Sequence, residues 1–415
     1  MNTGRKLAIA VAIATTATGI CFAQSTTQGD ELDALKSRVA ELERIIREQQ
    51  QMIAGQRRPG ANNVAPTAAQ PFTAMEEVGV PLGEHAGQLL DRLKLSWVVE
   101  VEAGYGRTKS DTGGEEASDI ALATVELGIE ARITDWIKGT AILLWEEDDT
   151  EPVDLDVGTI FLGNPERSPF SFEIGKFYVP FGRYESAFIT DPMTLEIGET
   201  RESAARLGFG HGPLAVGLSV FNGDVDKTGR TDNHLENIVL DASMGWEWDH
   251  GDLALGAAYT SHLADSNGLQ DAVLDNATGG TLDNRIGAVA VWASVSLRRI
   301  SLSAEYLAAL NDFKPNSLSF SGPGNDWAWS ARPRALNLEA AYQATDRITL
   351  AAKYEVADDT FDWLPERRYG CCAQYVLHEG KLGTASVALE YLHGSYDDAD
   401  DTREDTVTLQ IALVF

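Results

Sequence analysis

The stretch TVTLQIALVF, from Thr406 to Phe415, decides the fold of this chain. Every second position in it carries an apolar side chain: Val407, Leu409, Ile411, Leu413 and Phe415. A period of two residues belongs to a β-strand, because successive side chains of a strand point to opposite faces. A strand with one apolar face needs neighbours, so the stretch predicts a larger sheet built from similar segments.

The same alternation recurs from Lys94 onward and predicts sixteen strands. They are residues 94–105, 119–133, 137–146, 153–162, 170–181, 202–209, 214–221, 237–248, 252–262, 285–297, 300–310, 334–344, 348–356, 368–377, 383–393 and 406–415. Tyr and Trp recur toward the strand ends on the apolar face, as in the aromatic girdles of barrels in lipid. The predicted fold class is all-β, a 16-stranded antiparallel transmembrane β-barrel of the porin-like type preceded by a short coiled-coil helix.

The lengths of the predicted connections support a barrel. Short turns alternate with long connections at residues 106–118, 182–201, 222–236, 263–284, 311–333, 357–367 and 394–405, and residues 147–152 form one shorter member of the long set. Outer-membrane barrels have short periplasmic turns and long outer loops. A soluble β-sandwich has no reason to sort its loops by length. The even number of strands places both ends of the barrel on the periplasmic side.

The start of the chain predicts export. In residues 1–23, Arg5 and Lys6 precede an apolar run that ends near a small residue, which is the pattern of a secretory signal peptide. Together with the predicted barrel at residues 94–415, this favours the bacterial cell outer membrane as the location.

A helix and a linker are predicted between the signal peptide and the barrel. In residues 30–53, apolar side chains are spaced seven apart at Leu32, Val39, Ile46 and Ile53, as in a coiled coil. Residues 54–93 have no sustained period and predict a linker. We expect the helix to lie in the periplasm, where it either holds a homotrimer together or packs on its own barrel.

The charge of the chain limits its partners. The formal net charge is -30, and removal of Arg5 and Lys6 with the signal peptide leaves -32. Such a charge excludes nucleic acid as a partner and favours the attraction of cations. Hydrophobic residues make up 44% of the chain, and the mean hydropathy is -0.17, as expected of a surface shared between lipid and water.

Carboxylates dominate the strand face opposite the predicted lipid face. They are Glu100, Glu102, Glu126, Glu130, Asp154, Asp156, Asp241, Glu247, Glu305, Glu339, Glu355 and Glu390, against the cations Arg132, Lys138, Lys353 and Arg368. A water-filled pore lined in this way concentrates cations and repels anions. The alternative for any single residue is a solvated polar face with no role in selectivity.

The connection at residues 182–201 is the candidate for a pore constriction. Its apolar residues, such as Phe188, Met193 and Ile197, predict that it folds against the barrel wall. The candidate constriction residues in this connection and its flank are Arg183, Glu185, Asp191, Glu196, Glu199, Arg201, Glu202 and Arg206.

Three runs resemble the LbtU-type siderophore porins: GKFYVPFG at residues 175–182, TDPMTLEIGETRESA at residues 190–204 and VFNGD at residues 220–224. The resemblance implies a porin-like receptor without a plug domain and uptake of an iron-bound siderophore. A weaker similarity is to phosphate-selective porins, which share a coiled coil and sixteen strands; the acidic lumen argues against phosphate. A general or carbohydrate-type diffusion porin is a further alternative.

Other classes of function remain as alternatives. The seven histidines are scattered, and no nucleophile elbow or phosphate-binding glycine loop occurs. The sequence therefore predicts no catalytic, cofactor-binding or metal site, although outer-membrane enzymes exist. A non-conducting tether is another alternative. The acidic runs at residues 146–149 and 397–401 suggest contact with lipopolysaccharide through divalent cations, or simply solvated charge.

Overall fold

The structure is a computed structural model that describes residues 92–147, 150–227, 234–273, 281–315, 317–320, 330–397 and 401–415. Its main element is a closed barrel of sixteen antiparallel strands. Consecutive strands are neighbours in the sheet, and the last strand pairs with the first. The predicted fold class is therefore confirmed for the barrel.

The strands have the following bounds. They are β1 (Leu93–Ser110), β2 (Gly113–Arg132), β3 (Ile137–Glu146), β4 (Thr150–Gly163), β5 (Phe170–Tyr178), β6 (Arg201–His211), β7 (Leu214–Phe221), β8 (Asn237–Trp248), β9 (Gly251–Thr260), β10 (Ala288–Leu297), β11 (Ile300–Ala309), β12 (Arg334–Gln343), β13 (Ile348–Asp358), β14 (Arg367–Gly380), β15 (Gly383–Ser395) and β16 (Arg403–Val414).

One predicted loop is wrong. Residues 106–118 form the outer part of a β-hairpin, in which Gly106 pairs with Ala117 and Ser110 pairs with Gly113. The segment is polar on both faces, so its alternation of apolar and polar residues is lost although the strand pairing continues. The two strands here have 18 and 20 residues, about twice the length that a tilted strand needs to cross a bilayer.

Other predicted strand ends also move, and two of them shorten by three residues. The fifth strand ends at Tyr178 and not at residue 181, because Pro180 has no N–H to donate to a sheet. The tenth strand begins at Ala288 and not at residue 285. In both cases the chain leaves the sheet at the end of the barrel that carries the long loops.

The barrel closes between β1 and β16. Their register runs from the pair Val98 and Val414 to the pair Lys109 and Arg403. Beyond it, Phe415 exchanges two backbone hydrogen bonds with Trp97, at 2.5 and 2.9 Å, and the two rings lie 5.4 Å apart. The alternation quoted at the start of the sequence analysis thus belongs to the closing strand.

The outer surface of the barrel is apolar. Ile160, Leu207 and Leu389 are among the many large apolar side chains that point outward and remain exposed. A barrel with this surface suits a lipid environment.

Residues 1–91 lie outside the described residues. The signal peptide, the coiled-coil helix and nearly all of the linker therefore stay predictions. No helix in the described part of the chain is long and apolar enough to cross a membrane.

Several long loops fold into the barrel. Loop 3 (residues 179–200) contains helix α1 (Met193–Gly198), and loop 5 (residues 261–287) contains helix α2 (Asn267–Gln270). These loops pack with inward side chains of the strands in a buried apolar core that includes Phe181, Met193, Ile197, Phe221, Leu263, Leu269, Leu307 and Phe313. Loop 6 (residues 310–333) and loop 7 (residues 359–366) contribute further residues to this core.

Candidate functional site

Loop 3 crosses the inside of the barrel. It leaves at the end of β5 and returns at the start of β6. Its hydrogen-bond partners lie on β11, β12, β13 and β15. In a ring of sixteen strands β13 is opposite β5, so the loop reaches the far wall of the lumen.

Two glutamates of the far wall hold the first half of loop 3. Glu305 of β11 accepts the backbone N–H of Arg183 at 2.7 Å and that of Tyr184 at 3.0 Å. Glu339 of β12 accepts the N–H of Ala187 at 2.8 Å and a hydroxyl of the same loop at 2.7 Å. Ionised acceptors form the stronger class of hydrogen bond.

Two further glutamates hold the tip. Glu390 of β15 accepts the N–H of Ile189 at 2.7 Å and that of Thr190 at 3.1 Å, together with the Thr190 hydroxyl at 2.5 Å. Glu355 of β13 accepts the N–H of Met193 at 2.7 Å. We call Glu305, Glu339, Glu355 and Glu390 the glutamate clasp.

Two cations complete the contact between the clasp and the loop. Lys353 donates to the carbonyl of Thr190 at 2.9 Å and lies 3.3 Å from Glu339. Arg368 donates to the carbonyl of Asp191 at 2.6 Å and to Glu355 at 2.6 Å. These ion pairs are buried, with Glu355 0% and Lys353 3% exposed. If one partner of such an ion pair were removed, the other charge would stay buried without a partner, which costs about 3 to 5 kcal/mol in proteins.

The glutamate clasp corrects part of the predicted pore lining. Its four residues face inward as predicted, but their carboxylates are covered by loop 3 and do not line water. Alternation of residues along a strand identifies the inward face. It carries no information on a loop that will cover that face.

A second group of carboxylates lies on loop 3 and on β1 and β2. Glu100 and Glu102 of β1 and Glu126 of β2 are partly exposed on the barrel side. Asp191 and Glu199 project from loop 3. Asp191 is close enough to interact electrostatically with both glutamates of β1, and Glu126 interacts with Glu100. We call these five residues the acidic passage.

The electrostatics of the acidic passage are clearest at Glu199. Its pKa is raised to about 8, first by burial and then by the carboxylates of Asp191, Asp156 and Glu196. A hydrogen bond from Asn267 Nδ2 at 3.2 Å acts in the opposite direction. The raised pKa follows because like charges in a confined space disfavour ionisation.

Asp154 and Asp156 form an ion-pair network at one side of the passage. Arg201 lies 2.9 Å from Asp154 and donates to Asp156 at 2.6 Å. Lys176 is 3.3 Å from Asp154, and the Tyr178 hydroxyl donates to Asp156 at 2.8 Å. The structure thus brings together Asp154 and Asp156, which the sequence analysis assigned to the lumen lining, and Arg201, which it assigned to the constriction.

Two predicted residues lie away from the acidic passage. Glu130 pairs with Lys138 at 3.1 Å near a short turn. Arg206 pairs with Asp241 at 2.7 Å.

The other predicted constriction residues lie in or beside loop 3. Arg183 forms an ion pair with Glu185 at 2.6 Å and lies over the Trp292 ring, 4.6 Å from its centroid. Glu196 is part of α1. Glu202 interacts electrostatically with residues of the outer loops.

Loop 5 supports loop 3 from behind. The N–H of Asn267 donates to the carbonyl of Glu199 at 2.7 Å, and the Asn267 side chain accepts the N–H of Arg201 at 3.1 Å. The apolar core includes inward residues of every strand from β5 to β13, together with residues of loops 3, 5, 6 and 7. None of the five residues of the acidic passage belongs to this core, and three of them lie on β1 and β2.

The sequence did not reveal the structural role of the glutamate clasp and its cations. One signal was available: inward carboxylates recur on β11, β12, β13 and β15, next to the inward cations Lys353 and Arg368. Charged residues that only line water can lie anywhere on the inward face, whereas charged residues that bind one loop must lie close together.

The fold is similar to that of solved porins. The outer membrane channel DcaP of Acinetobacter baumannii is 14% identical and aligns with a TM-score of 0.51 over 78% of this chain and 97% of its own. An anion-selective porin from Comamonas acidovorans is 12% identical, with a TM-score of 0.53 over 78% and 99%. OprB of Pseudomonas putida is 13% identical, with a TM-score of 0.53 over 83% and 100%. At these identities the likeness concerns the fold alone.

The sequence is similar to UPF0422 proteins. One from Coxiella burnetii is 34% identical over 275 residues, which cover 64% of this chain and 55% of the relative. Another from Legionella pneumophila strain Philadelphia 1 is 26% identical over 326 residues, covering 72% and 58%. The chain spans little more than half the length of these relatives. No family model matches the sequence. The comparisons place the barrel among porin-like folds.

Proposed function

We propose that this chain is an outer-membrane channel that passes small water-soluble solutes and prefers cations. The observation that carries the proposal is the acidic passage, where Asp191 of loop 3 interacts with Glu100 and Glu102 of β1 and Glu199 interacts with Asp191. Fixed carboxylates along a narrow aqueous path attract cations and repel anions. The porin-like fold and the apolar outer surface support the location in the outer membrane.

Reversal potentials in planar bilayers under a KCl gradient test the proposal. At pH 9.5, where Glu199 is ionised, we expect cation preference for the wild-type channel and a lower cation-to-anion permeability ratio for the double variant Asp191→Asn, Glu199→Gln. The matched control is Glu166→Gln, Asp346→Asn, which removes two exposed carboxylates from short turns and should leave the ratio unchanged. Anion preference would contradict the cation part of the proposal, and absence of conductance would favour a tether.

The resemblance to siderophore porins adds a cargo, a ferric siderophore. What supports it is the position of the three runs. Residues 175–182 and 190–204 include the two ends of loop 3, and residues 220–224 begin with Val220 and Phe221, the latter buried in the core behind the loop. The resemblance therefore concerns the segment that sets the width of the passage. Iron-limited growth of a deletion strain on defined ferric siderophores tests the cargo. Unchanged growth across many siderophores would leave a general cation-preferring porin.

The remaining parts of the proposal concern assembly. We propose that a signal peptide at residues 1–23 is removed, that the helix at residues 30–53 lies in the periplasm and that three copies associate through it. Lipid and lipopolysaccharide would surround the barrel. Crosslinking of a Val39→Cys variant tests the association, and a strictly monomeric pattern would contradict it.

A further inference from the structure

The outer end of β2 has an open edge. β1 pairs with β2 over its whole length, from Ser110 and Gly113 to Leu93 and Ala131. β3 pairs with β2 only from Val125 to Arg132. Within the described ranges, residues 113–124 of β2 therefore have no strand on their second side.

The open run ends at Leu122. The N–H of this residue donates to Glu147 Oε2 at 2.7 Å, so a side chain caps the edge at that point. Residues 113–121 remain, a length of about 30 Å at 3.3 Å per residue. A row of backbone N–H and C=O groups of this length is a template for the addition of another strand.

The side chains of the run leave most of the edge open: the N–H of Ile120 donates to Asp119 Oδ1 at 2.8 Å, and an added strand would replace this local bond. Natural proteins protect an edge strand with charged side chains, especially lysine, with proline or with a bulge. Residues 113–121 read GGEEASDIA, without lysine or proline, and their acidic side chains repel strands of the same charge. Ile120 is 73% exposed. Glu115, Glu116 and Asp119 carry the only charges of the run, and Glu116 lies 3.4 Å from Arg107, with both side chains about half exposed.

The charge selects the kind of partner. Two copies of this edge would place carboxylates beside carboxylates, which destabilises strand pairing. We propose that residues 113–121 add an extended segment with basic side chains from a second protein. In an antiparallel pair, the segment would read, from its N-terminus, an apolar residue opposite Ile120, a basic residue opposite Asp119, two neutral residues, and two basic residues opposite Glu116 and Glu115.

Hydrogen–deuterium exchange of the purified full chain in detergent tests this inference. The probe is the blocked peptide Thr-Val-Lys-Thr-Thr-Lys-Lys-Thr. At saturating peptide we expect slower exchange, at least tenfold, for those amides of residues 113–121 that point to the open side and not to β1. The triple variant Glu115→Lys, Glu116→Lys, Asp119→Lys should not be protected by this peptide. It should be protected by a second peptide in which glutamate replaces each lysine.

The matched control makes the same charge change at the other end of the barrel, in Asp135→Lys, Glu166→Lys, Asp346→Lys, and should keep the protection. Heat-modifiable migration on gels verifies that each variant is folded, and Asp119→Lys alone serves as a milder variant with partial loss.

Several results would overturn the inference. They are no slowing in the wild type, slowing that persists in the triple edge variant, and equal loss in the control. A disulfide between two Ala117→Cys chains without peptide would identify a second copy as the occupant. Protection by lipopolysaccharide vesicles alone would identify lipid.

Discussion

At the scale of single residues, neighbours decide what a glutamate does in this barrel. Glu390 is 1% exposed and accepts three hydrogen bonds from loop 3, so it acts as an anchor. Glu199 is partly exposed beside other carboxylates, and its pKa is raised to about 8. Glu390 therefore supports the loop, and Glu199 places a titratable charge at the acidic passage.

The raised pKa of Glu199 predicts a pH-dependent selectivity. Below about pH 8 the carboxyl is mostly protonated and neutral, and above it the group adds a negative charge. We expect the cation-to-anion permeability ratio to rise as the pH goes from 6.5 to 9.5, and this rise to be smaller in Glu199→Gln. Reversal potentials across that pH range measure it. An identical pH profile in the variant would assign the titration to another group.

The anchor role of Glu390 predicts a looser loop when its charge is removed. Glu390→Gln removes the negative charge. If the amide oxygen stays toward the N–H donors of Ile189 and Thr190, the NH₂ group takes the place of the oxygen that accepts the Thr190 hydroxyl. A hydrogen bond to a charged group contributes about 1.5 to 3 kcal/mol, so we expect faster amide exchange at the loop tip and noisier single-channel currents. Glu130→Gln loses the same charge at a site whose described partner is Lys138, and it should leave the tip unchanged. Equal exchange in both variants would contradict the anchor role.

At the scale of elements, two short helices join loop 3 to loop 5. Helix α1 of loop 3 packs against helix α2 of loop 5 at Gly268. A Cβ at this position would overlap the main-chain carbonyl of Glu196 and touch the Trp363 ring. The absence of a side chain therefore allows the close approach that positions Glu199 at the passage.

This contact predicts the effect of Gly268→Ala. Helix propensity alone would make alanine more stable by about 1 kcal/mol, but the overlap is with backbone, which cannot rotate away. We expect faster proteolysis of loops 3 and 5 and no change in the barrel strands. Gly245→Ala in β8, where a Cβ would have nothing within 4 Å, should behave as wild type. Slower proteolysis of Gly268→Ala would mean that propensity dominates.

The same scale explains how far the sequence predicts this fold. Strands β3, β7 and β8 have the predicted bounds, because each has one lipid-facing apolar side that gives a clear period of two. The β1–β2 hairpin was mistaken for a loop at residues 106–118, since strands that extend beyond lipid need no apolar face. The alternation of apolar and polar side chains indicates which part of a strand faces lipid. It does not indicate where backbone pairing ends.

The site was less predictable than the strands. The sequence identified loop 3 as a candidate constriction and placed the acidic residues on the inward face. It did not separate Glu355 and Glu390, which are buried by the loop, from Glu100 and Glu126, which remain partly exposed. That distinction depends on contacts between residues far apart in the chain, and no local pattern records them.

At the scale of the whole molecule, the net charge of -30 and the acidic passage have the same sign. Electrostatic attraction of this kind is screened over about 10 Å in 0.1 M salt and about 3 Å in 1 M salt. We expect the cation-to-anion permeability ratio to fall as the KCl concentrations are raised from 0.1 to 1 M, with the concentration ratio between the two sides of the bilayer kept constant. A ratio that does not change with salt would point to selection by pore size.

The position of Glu390 on the fifteenth strand has a consequence for assembly. Its hydrogen bonds to loop 3 join residues 200 and 201 positions apart, and contacts between such distant residues form late because a long chain must first be ordered. The N–H groups of Ile189 and Thr190 thus lack this acceptor until the fifteenth of the sixteen strands has entered the sheet. Insertion should proceed through a wide, unobstructed intermediate, and narrowing of the bore should be its last step.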